Sequence, residues 1–152
     1  MMRLGSFLLL LISNSLIASE LDVAYEKLND RTDSCLSLQK RSIQHVNDAW
    51  LSSLSDFELK VILLELNRSA LTRCVETEFK DYTYHLFQKS ISSGDAKPLN
   101  VWFELNSRNQ PEDYKSVANR FADEILTLSK SGTFNLPFDT KAYFDTIRAS
   151  LN

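Results

Sequence analysis

Glycine and proline are scarce, three of each in 152 residues, which leaves few positions for tight hairpins, left-handed turns or close backbone approaches to a ligand. The motifs that depend on such turns are missing too. There is no G-x-S-x-G elbow, no glycine-rich phosphate loop and no calcium-loop spacing, and neither H-E-x-x-H nor C-x-x-C-H occurs. Histidine and cysteine each occur twice. Acids and bases, 20 against 17, are interleaved along the chain. A chain built to neutralise phosphates concentrates its bases on one face, so nucleic acid is not an expected partner. The one sustained apolar run, Leu4 to Ile12, is broken by Ser13, Asn14 and Ser15. A membrane span needs about 20 continuous apolar residues, and no second run follows.

That short run has another use. Arg3 precedes it, the small residues Ala18 and Ser19 follow it, and Glu20 is the first acid. This is the layout of a secretory leader, and residues 1–19 are expected to be one, with cleavage after Ala18 or after Ser19 equally compatible. Losing the leader removes Arg3 and no acid, leaving sixteen bases against twenty acids, a formal charge of −4. Residues 20–152 are enough for a single helical domain with its own core. The short leader points to the periplasm ahead of extracellular release. In an oxidising compartment, Cys35 and Cys74 are expected to form a disulfide. Closing that loop is worth about 4 kcal/mol in the chain-entropy model.

Between the few glycines and prolines the chain reads as helix, with no strand pattern and no repeat. Leu36, Ile43, Val46 and Trp50 fall at helical spacing and predict a helix over 33–50. Ser55 and Glu58 form a capping box, with Leu54 and Leu59 placed as a hydrophobic staple, so a helix starts at Asp56. It either runs unbroken to Ile91 or breaks near Asn67. Pro111, followed by Glu112 and Asp113, opens another helix carrying Tyr114, Val117, Phe121, Ile125 and Leu128, which Gly132 stops. Asp139 caps a last one with Tyr143, Phe144, Ile147 and Leu151. Two weaker helices span 21–29 and 99–105.

The expected fold is all-α, a small helical bundle built on a long antiparallel αα-hairpin pinned by one disulfide. If the helix over 33–51 turns at Ser52–Ser55 and runs back, facing residues have numbers summing to about 109. Cys35 then meets Cys74, Val46 meets Leu63, Ile43 meets Leu66, and Trp50 meets Leu59. His45 falls opposite Leu64, far from His85. A break at Asn67 would instead bring the two histidines level.

The segment "LTRCVETEFKDYTYHLF", 71–87, holds the densest chemistry. On a helical wheel Val75, Phe79, Tyr82 and Leu86 form the core stripe, while Cys74, Glu78, Asp81 and His85 form a contiguous row beside it. A carboxylate one turn before an imidazole can share a divalent ion, which makes Glu78, Asp81 and His85 the candidate metal ligands. The competing reading is a salt-bridged border beside a buried stripe. No catalytic residue and no cofactor is assigned. An all-α exported enzyme would need basic side chains such as Arg41, Arg68 and Arg73 converging on an anionic substrate.

Two segments suit a partner. Trp102 and Phe103 are adjacent on a helix and cannot both enter one core stripe, and the loop "TFNLPFD" carries Phe134 and Phe138. Such a loop equally can fold its aromatics over the core. The expected function is an exported, non-enzymatic domain that binds another protein, such as an inhibitor, immunity or envelope accessory factor. The alternative is a small-ligand or metal-binding carrier, or a small all-α exported enzyme. A pocket lined by Arg and Glu between helices favours the second, and an apolar outer patch the first.

Overall fold

The computed structural model describes residues 19–42, 46, 48–107 and 109–150. The expected leader, apart from Ser19, and His45 with its expected register fall outside the described residues. Among the described residues seven helices follow in order: α1 (Glu20–Ser37), α2 (Ala49–Ser53), α3 (Asp56–Ser93), α4 (Lys97–Asn106), α5 (Glu112–Arg120), α6 (Ala122–Ser129) and α7 (Thr140–Ala149), with a 3-10 turn at Leu38–Lys40 after α1. No strand occurs among the described residues. None of these helices is long and apolar enough to cross a membrane.

The spine is α3, 38 residues without a break, about 57 Å at 1.5 Å per residue. Its start is the expected capping box: the Ser55 hydroxyl accepts from the Glu58 N–H, and the Glu58 carboxylate accepts from the Ser55 N–H at 2.9 Å. Its end is Gly94, whose φ of 71° is the left-handed stop that glycine adopts without strain. Against α3 pack α1, α4, α5, α6 and α7.

The antiparallel hairpin is present, but its first arm is not the expected one. α1 ends at Ser37, and the helix predicted over 33–50 does not continue through to Trp50. The reason is local. The Asp48 carboxylate accepts from the Trp50 and Leu51 N–H groups and caps a separate short helix there. The arm that runs back along α3 is therefore 20–37, which joins the weaker helix expected over 21–29 to the start of the one expected over 33–50. The register is nonetheless right at its centre: Cys35 with Cys74 and Arg31 with Glu78 both sum to 109. At the far end Glu20 meets His85, a sum of 105, so the register drifts along the pair. The disulfide is formed, with Cα atoms 6.0 Å apart, inside the span a bridge requires.

The core sits at the N-terminal half of α3. Leu59, Ile62, Leu63 and Leu66 meet Val46, Leu51 and Leu54 from the preceding segment, together with Tyr143 and Ile147 of α7. Phe134 and Phe138 fill the centre with Tyr143, their ring centroids 4.8–5.8 Å apart. Val46 and Leu63 thus share one core, while Trp50 lies edge-on to Phe121 at 5.6 Å. The loop over 130–139 can sit this deep because its backbone polar groups have partners. Arg41 donates to the Thr133 and Leu136 carbonyls at 3.0 and 3.2 Å, Arg73 donates to those of Ser129 and Phe134 at 2.8 and 3.4 Å, and the Asn67 side-chain oxygen accepts from the Phe138 N–H. Arg148 closes the other end, donating to Asp56 and to the carbonyls of Ser52 and Leu54.

The helix expected from Pro111 to Leu128 is two helices. Phe121 leaves helical geometry, at φ −110° and ψ 25°, and α6 restarts beyond it. Its ring packs on Trp50 and lies under the Arg120 guanidinium, so the kink lets one aromatic anchor the joint.

Candidate functional site

The row beside the core stripe proves to be the seam between α1 and α3. Cys74 is spent on the disulfide. The Arg31 Nε donates to the Cys74 carbonyl at 2.7 Å and reaches the Glu78 carboxylate at 4.0 Å. His85 stands between two acids, Nε2 3.6 Å from Asp81 and Nδ1 3.7 Å from Glu20. Glu78, Asp81 and His85 are thus committed to cross-helix and along-helix pairs. Among the described residues, no group of three or more His, Cys, Asp or Glu side chains is placed to hold a metal ion. Tyr25 packs on Tyr82 at 5.6 Å on the same seam.

The three arginines that an anionic substrate would need do not converge into an open site. Arg41 and Arg73 grip the loop over 130–139, as described. Arg68 pairs with Glu65, a buried carboxylate that also accepts from the Tyr114 hydroxyl at 2.7 Å. These groups edge a cleft of about 350 Å³ between α3 and α5–α6, shared with Gln110, Ala118 and Ala122. Burial, reinforced by the Glu65 carboxylate, pushes the Tyr114 phenol well above its ordinary range. It remains a neutral donor at any physiological pH. Sequence reading missed this Glu65–Tyr114 link, for nothing in the sequence marks a single carboxylate inside an apolar run as the partner of a tyrosine 49 positions away.

The aromatic candidates part company. Phe134 and Phe138 are buried in the core and present no surface to a partner. Trp102 is half-buried: its ring lies 5.0 Å from Phe79 and 4.8 Å from Tyr82, and its indole N–H donates to the Thr83 hydroxyl at 3.0 Å. Phe103, its neighbour, is exposed, as adjacent positions on one helix require.

A further apolar set was not singled out from the sequence. Tyr84, Phe87 and Ile91 are 58%, 48% and 62% exposed. Their i, i+3, i+7 spacing puts them on one face of α3, opposite the Val75, Phe79, Tyr82 and Leu86 stripe. The signal was available, but apolar residues at helical spacing are ordinarily read as core. One turn before Tyr84, Lys80 pairs with Glu76 at 2.5 Å.

No protein-family model, curated protein or solved structure matches the chain.

Proposed function

We propose that the protein is an exported, non-enzymatic helical domain that docks another protein through the outer face of the C-terminal half of α3. The observation that carries this reading is the stripe of Tyr84, Phe87 and Ile91, large apolar side chains left in solvent on a helix whose other faces are covered by α1 and α4. Contiguous apolar surface of this kind is costly to keep exposed and marks interaction sites. An uncharged stripe at i, i+3, i+7 spacing fits the apolar ridge of a partner helix, recognised by burial and shape. The leader pattern of residues 1–19 and the disulfide support export, and the short leader favours the periplasm.

A small-ligand reading would use the cleft beside Glu65. It ranks second, because Glu65, Arg68 and Tyr114 already satisfy one another, whereas a ligand site needs polar groups that converge on the ligand.

Placing a photo-crosslinking amino acid at position 87, and in a control at the exposed outer position 27 of α1, tests the proposal in the native envelope. A discrete adduct at 87 that is absent at 27, and lost when Tyr84 and Ile91 are both changed to lysine, is the expected result. Equal labelling at both positions, or none at 87, contradicts it. An adduct of twice the chain's own mass would mean that the partner is a second copy.

A further inference from the structure

We infer that Ser19 stays with the mature chain, processing cutting the Ala18–Ser19 bond rather than the Ser19–Glu20 bond. The inference rests on the export reading above and adds what the sequence leaves open, since both positions offer a small residue before the cut.

Ser19 is part of the fold. It is the N-cap of α1, with extended φ and ψ of −66° and 153°. Its hydroxyl accepts from the Asp22 N–H at 3.2 Å, and its carbonyl accepts from the Val23 N–H at 3.0 Å. In return, its own N–H and hydroxyl donate to the Asp22 carboxylate at 3.2 and 2.7 Å. These contacts hold the Asp22 carboxyl below its ordinary value, with the Ser19 hydroxyl as the main cause. A second tie fixes the same turn: Glu20 pairs with His85 of α3, and Ser19 lines the small groove that also holds Gln88 and Lys89.

The two cuts leave different products. Hydrolysis of the Ser19–Glu20 bond gives Ser19 a carboxylate and carries it away with the leader. Every contact of the capping box goes with it, and α1 starts with an uncapped ammonium on Glu20, at the end of the helix where positive charge is disfavoured. Hydrolysis of the Ala18–Ser19 bond adds water across a bond outside the box. Ala18 leaves as a carboxylate, and the Ser19 nitrogen becomes an ammonium already 3.2 Å from the Asp22 carboxylate. The amide-to-carboxylate hydrogen bond becomes an ammonium–carboxylate ion pair, and the adjacent acids Glu20 and Asp22 neutralise the new charge.

Intact mass and N-terminal sequencing of the full chain, expressed in an exporting host and recovered outside the cytoplasm, test this. A mature protein starting at Ser19 is expected. A start at Glu20, or at any other residue, overturns the inference while leaving export standing. A chain that keeps Met1 and stays inside overturns the export reading, and the inference with it. Independently, chains made to start at Ser19 and at Glu20 are compared by amide exchange. Asp22 and Val23 should exchange about fivefold more slowly in the Ser19 form, the usual worth of such a cap. Equal rates would remove the structural ground for the assignment.

Discussion

The two halves of α3 are one continuous helix stabilised in two different ways. From Leu59 to Ala70 it buries Leu59, Val61, Ile62, Leu63, Glu65, Leu66 and Ala70, while beyond Leu71 it buries only Leu86 and Ser90. Each fully buried Leu, Ile or Phe contributes about 1.5–3 kcal/mol, so the first half is held by an ordinary core. The second half has α1 on one side, which buries little more than Ala24, Leu28 and Cys35, and α4 on another, which buries none of its residues. Here a covalent bridge, one Trp102 cluster and a line of polar pairs do the holding. The comparison shows why the far half has a free apolar face. A helix stapled by sulfur does not need to enclose every large side chain in order to stay folded.

The sharpest way to break the comparison is to damage one half and ask whether the other responds. Phe138→Ala empties the middle of the aromatic trio and should cost about 3–5 kcal/mol, read as a fall in the denaturation midpoint of the whole domain. Replacing Cys35 and Cys74 together by serine should cost about 2–4 kcal/mol. Its signature is local: amide exchange should rise throughout α1 and in α3 beyond Leu71 while the Leu59–Leu66 amides stay protected. A uniform rise would show that the far half is not a separate unit.

A smaller effect tests the joint between the halves and the rest of the fold. Ser55→Ala removes the cap of α3 and should cost about 1 kcal/mol. Glu58 gives this cap a pH dependence. Hydrogen bonds from the Ser55 hydroxyl and N–H, aided by Arg120, hold its carboxyl below the ordinary value of 4.5. A group depressed in the folded state stabilises above its unfolded pKa and loses that contribution as pH falls through the folded one. Acid titration should therefore show a loss of stability below about pH 4.5 that Ser55→Ala reduces. Identical acid limbs in both proteins would contradict the assignment.

Much of this arrangement could be read from residue types alone. The S-x-x-E box at Ser55, Asp139 as a cap, Pro111 before a helix and the meeting of Cys35 with Cys74 are local chemistry or simple register, and each is present. What misled was periodicity. Leu36, Ile43, Val46 and Trp50 keep helical spacing across a segment where Asp48 caps a new helix instead, and Leu36 ends up exposed. The same blindness hid the break at Phe121, because an unbroken apolar pattern does not report a kink. At the candidate surface, the adjacency of Trp102 and Phe103 told that one of them would stay outside the core but not which, and the stripe at Tyr84, Phe87 and Ile91 was not legible. Spacing tells that residues share a face; it does not tell whether anything covers that face.

Each half has a tryptophan packed in its surroundings, Trp50 of α2 against the core and Phe121, and Trp102 of α4 against Phe79 and Tyr82 in the far region. Trp50→Phe and Trp102→Phe therefore isolate one reporter each, and denaturant unfolding of both variants, with and without reductant, is the most direct test of the central claim. With the disulfide intact, the two reporters should unfold within one transition. After reduction, the Trp102 signal should move to markedly lower denaturant while the Trp50 signal holds nearly its original midpoint. Two reporters that still coincide after reduction would contradict the account.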